Sequence, residues 1–238
     1  MIAVQFEDVG ANGTINLQNV IKGNFVGTTS PGTAPTIQVW DTSAGSTGAY
    51  KTYCFWSMTL GQPMHNNVWS KSISSTDYDP DITVKIGDSI WFKCQQSDCT
   101  IQVAGQVVEV DPSGERGVDV VADKWNMIAN PFPKNFVVNN GGIDWTKYFT
   151  GTTSTGTAPT IQIWDLTAGT DGAYKSYYFF SDTLGGTKQY NVWSSARQTT
   201  YYDPNLAVPA GAGFWLKYPK AQGKSEKEDG SLTLKFEF

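Results

Sequence analysis

Residues 27–61, GTTSPGTAPTIQVWDTSAGSTGAYKTYCFWSMTLG, return at 151–185 as GTTSTGTAPTIQIWDLTAGTDGAYKSYYFFSDTLG. The offset is 124 without a gap, and 25 of the 35 positions are identical. The same offset carries NVWS at 67–70 onto 191–194, Tyr78-Asp79-Pro80 onto Tyr202-Asp203-Pro204, and Trp91 onto Trp215. Upstream, MIAVQF at 1–6 matches MIANPF at 127–132 with an offset of 126, so one intervening loop differs by two residues. A self-match at one fixed period reads as a tandem duplication. The turn-rich DPSGERG at 111–117 separates the copies and sets the domains at 1–112 and 113–238.

Within each copy the apolar residues follow a period of two. TIQVW at 36–40 sets Ile37 and Val39 against Gln38 and Trp40, and YKTYCFW at 50–56 is rich in β-favouring aromatics. SIWFKC at 89–94, TIQVAGQVVEV at 100–110 and SLTLKFEF at 231–238 are further short runs, separated by Gly, Pro, Asp and Ser clusters. No stretch sustains a helical period over three turns. The expected fold is all-β: two tandem antiparallel β-sandwich or open-barrel domains of similar fold.

The composition narrows the chemistry. A net charge of −5 removes the basic footprint that nucleic acid demands. No window approaches 18 continuous apolar residues, so no membrane-spanning segment is expected, and MIAVQF lacks the basic and apolar regions of a signal peptide. With one histidine, His65, which maps onto Gln189, no imidazole function is shared by the copies. The shared acids are Asp41/Asp165 and Asp79/Asp203, each after an aromatic residue, where Asp commonly bonds turn amides. No enzyme is expected, and no cofactor. Of three cysteines, Cys94 and Cys99 frame a short loop that a disulfide could close in an oxidising compartment, leaving Cys54 as a buried apolar residue.

Two ligand candidates stand beside their structural readings. Asp77, Asp79 and Asp81 present alternating oxygens for calcium, but the second copy has Tyr201, Asp203 and Asn205, and a Pro-containing turn explains the same residues. Nine tryptophans offer faces for sugars, and Trp69 and Trp193, bordering polar loops, are the pair expected to be exposed if any is. Their duplication points first to packing.

The second copy also contains WNMIANPFP at 125–133, GIDW at 142–145, TIQIWD at 160–165 and VPAGAGFWLK at 208–217. This series resembles a β module of bacterial secreted and cell-surface proteins. The resemblance implies an extracellular or surface-displayed module with a structural or accessory role. The first copy fits less well, with AVQFED where the second has ANPFPK. Two functions follow as expectations: the repeating subunit of a surface filament, sheath or array, with copies of itself as partners, or a carbohydrate-binding module with a polysaccharide partner.

Assembly is expected to run through terminal strands. GVDVVADKW at 117–125 precedes MIANPF, whereas MIAVQF opens the sequence, which gives the first copy an open sheet edge along Ile2, Val4 and Phe6. SLTLKFEF follows the charged spacer KSEKEDG and alternates Leu232, Leu234, Phe236 and Phe238 against polar positions, a strand suited either to reach a neighbouring copy or to pair within the second domain, as QVVEV at 106–110 would in the first.

Overall fold

The repeated TIQxWD stretches are strands: Ile37 and Ile161 point into cores, while Gln38 and Gln162 lie half-exposed on the opposite face. The structure, a computed structural model, describes all residues except 4–5, 8–13, 86, 98, 104–105, 108–114, 131, 171, 225–226, 228–229 and 238. The chain divides into two units, Met1–Asp41 with Ala49–Glu109, and Thr42–Gly48 with Val110–Phe238.

The first unit holds β1 (Ile2–Ala3), β2 (Phe6–Glu7), β3 (Thr14–Asn16), the single turn α1 (Leu17–Val20), β4 (Ile21–Gly23), β5 (Thr36–Asp41), β6 (Ala49–Met58), β7 (Asn66–Ser70), β8 (Thr83–Lys85), β9 (Ser89–Lys93), β10 (Ile101–Val103) and β11 (Gln106–Val107). The second holds β12 (Glu115–Val121), β13 (Trp125–Ala129), β14 (Phe136–Val137), β15 (Thr160–Asp165), β16 (Ala173–Phe180), β17 (Val192–Ser194), β18 (Ala207–Val208), β19 (Gly213–Lys217) and β20 (Ser231–Glu237).

Each unit has one five-stranded antiparallel sheet, ordered β1-β9-β5-β6-β7 in the first and β13-β19-β15-β16-β17 in the second. Their registers agree residue for residue: Gln38 faces Thr52 and Trp91, and Gln162 faces Ser176 and Trp215. Short ladders complete the units, β3–β8, β4–β10 and β2–β11 in the first, β12–β20 and β14–β18 in the second. In the second unit Ile161, Phe179, Phe214 and Leu216 of the large sheet share a core with Val118, Val120, Phe136, Val208 and Leu234 of the ladders. In the first, Ile37, Tyr53 and Ile90 meet Ile15, Ile21 and Val84. The architecture is all-β and sandwich-like, with apolar side chains from two layers interleaved.

The repeated GTT has a steric reason. A Cβ on Gly27 would lie 2.6 Å from the Ser57 nitrogen, and one on Gly151 2.7 Å from that of Ser181. Only glycine lets this segment press against the neighbouring strand. There Ser57 N–H donates to the Thr28 carbonyl at 3.2 Å, and Ser181 N–H to that of Thr152 at 3.0 Å.

Two asparagines of WNMIANPF pin the second unit. Asn126 Oδ1 accepts from Val121 N–H at 2.8 Å, fixing the β12–β13 turn. Asn130, fully buried, accepts from Phe132 N–H at 2.9 Å and donates through Nδ2 to the carbonyls of Lys134, Val208 and Pro209 at 2.9–3.0 Å. A buried side-chain amide is stable only when its valences are met in this way.

Candidate assembly surface and the sequence-derived sites

The terminal strands are engaged within the chain. β20 pairs antiparallel with β12 from Glu115↔Glu237 to Val121↔Ser231, and Leu232, Leu234 and Phe236 are buried in the second unit's core. Burying side chains of this size stabilises by roughly 1.5–3 kcal/mol each. β20 thus pairs within its own unit, the second of the two expectations for it, and Ser231–Glu237 belong to that unit's fold. At the other end Ile2 pairs with Ile90 in the β1–β9 ladder, and Phe6 with Val107 in β2–β11. Val4 and Phe238 lie outside the described residues.

The acidic candidates hold turns. Ser72 Oγ donates to Asp77 Oδ2, and Asp81 N–H donates to Asp79 Oδ1 at 2.9 Å. Asn205 N–H donates to Asp203 Oδ1 at 2.8 Å in the same manner. Among the described residues no group of three acidic, histidine or cysteine side chains is placed to hold a metal, and Asp79 and Asp203 each accept in an equivalent Asx turn. Asp41 and Asp165 make cross-strand ion pairs with Lys51 at 2.9 Å and Lys175 at 2.5 Å. The hydrogen bond from Lys175, helped by Thr167, holds the Asp165 carboxyl down at about 2. A carboxylate this acidic stays charged and is a poor proton donor near neutral pH.

His65 stacks on Tyr78 with ring centroids 3.8 Å apart. Its backbone closes a turn with Thr59: Thr59 N–H donates to the His65 carbonyl, and His65 N–H to Thr59 Oγ1.

Trp69 and Trp193 are 1% and 0% exposed, which corrects their reading as sugar platforms: neither ring has a free face. Trp193 packs edge-on to Trp145 at 5.1 Å, and Trp69 packs against Phe55 at 5.0 Å. A two-way amide bracket holds the backbone of each tryptophan. Gln18 accepts from Trp69 N–H at 3.0 Å and donates to its carbonyl at 2.6 Å, and Asn139 does both for Trp193 at 2.8 and 3.0 Å.

Cys94 and Cys99 form a disulfide with Cα atoms 6.3 Å apart, and Cys54 is free and buried. Burial pushes the Cys54 thiol pKa up, which keeps it in the unreactive protonated form. The bridged loop presents Gln96 to the backbone of Val26, accepting from its N–H at 2.9 Å and donating to its carbonyl at 2.6 Å.

The two units expose apolar side chains at matching positions. Leu60 is 57% exposed and Leu184 44%. Both are held by the same backbone bonds. Leu60 N–H donates to Ile73 and Ser75 N–H to Leu60, as Leu184 N–H donates to Arg197 and Thr199 N–H to Leu184. The first unit also exposes Met58 and Met64, and the second Tyr190 and Tyr201, at positions that do not correspond between the units. Thr183 N–H donates to Gln189, and Tyr201 belongs to the short helical turn Thr199–Tyr201, so backbone bonds join the segments that carry Leu184, Tyr190 and Tyr201. Nothing in the hydropathy of the separate segments marked these exposed side chains, which lie up to 17 residues apart in the second unit. Comparison with known protein families, curated proteins and solved structures finds no match.

Proposed function

We propose that the protein is a non-enzymatic structural module of the extracellular space or cell surface that assembles with copies of itself. The observation that carries this reading is an exposed leucine held in the same backbone frame in each unit, Leu60 and Leu184. Exposed apolar groups held on a fixed backbone mark contact surfaces. Two such surfaces per chain allow each copy to contact two others, the requirement for an array. The Cys94–Cys99 disulfide supports an oxidising compartment. The repeated polar groups, Asp41 and Asp165 with their lysines and Asp79 and Asp203 with their turn amides, serve the scaffold.

Strand exchange forms a second route, favoured by β20 pairing with β12 alone among the described residues. In that version each copy passes β20 to the next, so the bonds broken at home are remade on the neighbour and the contact does not close on itself. One experiment separates the routes. Cysteines at the paired positions Asp119 and Thr233 lock β20 to its own β12, while Leu60→Ser with Leu184→Ser blunts the loops. Assembly lost in the serine double variant and retained in the locked protein supports the loop route. The opposite pattern supports exchange, and a monomer in every form, wild type included, refutes self-assembly.

A further inference from the structure

The ends of the β6–β7 and β16–β17 hairpins share a backbone and differ in chemistry. Thr59 N–H donates to the His65 carbonyl at 2.8 Å, and Thr183 N–H to that of Gln189 at 2.9 Å. The Leu60 carbonyl accepts from Ser75 N–H at 2.8 Å, and that of Leu184 from Thr199 N–H at 3.1 Å. In each unit the hairpin end is thereby joined to a short helical turn, Ser75–Asp77 or Thr199–Tyr201. On this common frame the offset of 124 sets Met58, Met64 and Ile73 against Asp182, Lys188 and Arg197, and Asn66 and Asp77 against Tyr190 and Tyr201.

The first end exposes Met58, Leu60 and Met64, none of which carries a charge or a hydroxyl. At the second end Asp182 accepts from Arg197 Nη2 at 2.5 Å and from its Nε at 3.1 Å. Those two charges cancel, and Lys188 stands as an exposed cation. The exposed apolar bodies there are Leu184, Tyr190 and Tyr201, the tyrosines adding hydroxyls. Formal charge differs as well. Residues 57–81 contain three aspartates and one lysine, whereas 181–205 contain two aspartates, one lysine and one arginine. The first segment is acidic and the second neutral.

We propose that copies of the chain join head to tail through these ends, the methionine-bearing end of one copy docking on the tyrosine-bearing end of the next. The inference rests on the self-assembly reading and states which surface meets which. Methionine is unbranched and polarisable, so it conforms to a partner, and its sulfur packs favourably at the edges of aromatic rings. Two first ends placed together would oppose acidic segments, and like charges across a contact are penalised. Head to tail, the acidic segment faces a neutral one whose exposed cation is Lys188. Unlike surfaces also repeat along a line instead of closing into a pair, as an array requires.

The test is sedimentation velocity of the intact chain with one end blocked at a time. Leu60→Lys sets a cation at the end that should meet Lys188, and Leu184→Asp sets an anion at the end that should meet the acidic segment. Both leucines are exposed, so the variants keep the fold, and Leu60→Ser with Leu184→Ser supplies an uncharged pair of blocks. Wild type should grow with concentration, and each blocked variant alone should stay monomeric. Their equimolar mixture should give a dimer of the two variants and nothing larger, because one intact end of each kind remains. Lys188→Glu should weaken growth of the otherwise wild-type chain about tenfold. A dimer formed by either variant alone would show like ends pairing, and would overturn the proposal with self-assembly still standing. A mixture that stays monomeric beside a growing wild type, or unchanged growth in Lys188→Glu, would overturn it equally. A monomeric wild type would refute the self-assembly reading itself, and the proposal with it.

Discussion

Replacing Leu234 by Ala probes whether β20 is part of the second unit or a strand held in reserve. Leu234 is 0% exposed, faces Val118 in the β12–β20 ladder and shares a core with Val120, Leu216 and Phe236. The substitution removes three buried carbon atoms, and the surrounding sheet layers can close only part of the gap. Large-to-small changes at such sites cost about 2–5 kcal/mol. Against a typical domain stability of roughly 5–15 kcal/mol, that is enough to move one transition well apart from the other. Urea titration monitored by far-ultraviolet circular dichroism gives the loss. Hydrogen exchange with mass spectrometry places it, by comparing peptides from β15 and β16 with those from β5 and β6. Protection should fall in the second unit and stay unchanged in the first. A loss below about 1 kcal/mol, or faster exchange shared equally by both units, would refute the placement of β20.

Two further outcomes follow from buried polar groups. Burial raises the Asp88 carboxyl from 3.8 to about 6, opposed by the hydrogen bond that its Oδ2 accepts from Lys85 N–H. The folded state therefore binds the proton more tightly than the unfolded state, and stability falls as pH rises from about 4 to about 6. The full difference is at most about 3 kcal/mol. Asp88→Asn keeps an acceptor for Lys85 and should abolish that slope in urea midpoints taken between pH 4 and 7; an unchanged slope would reject the assignment. Asn130→Ala strips partners from Phe132 N–H and three carbonyls, and should destabilise the second unit by about 2–4 kcal/mol in the same titration. A change under about 0.5 kcal/mol would show that water replaces the amide.

What the sequence made legible is what local period controls. Alternation in TIQVW and TIQIW placed Ile37 and Ile161 inward, and the unbroken spacing between the repeats carried the shared register of Gln38 and Gln162. The burial of Trp69 and Trp193 was hidden, because the amides that bracket their backbone, Gln18 and Asn139, lie 51 and 54 residues away and differ in type. SLTLKFEF has the same alternation whether it pairs at home or abroad, so the pattern could not choose the partner.

The most direct test of the central claim is sedimentation velocity of the wild-type chain over a hundredfold range of concentration, with negative-stain microscopy of the same samples. Self-assembly through two surfaces per chain predicts species that grow with concentration and appear as extended arrays or filaments. A single species of monomer mass at every concentration, with no ordered particles on the grid, would contradict it.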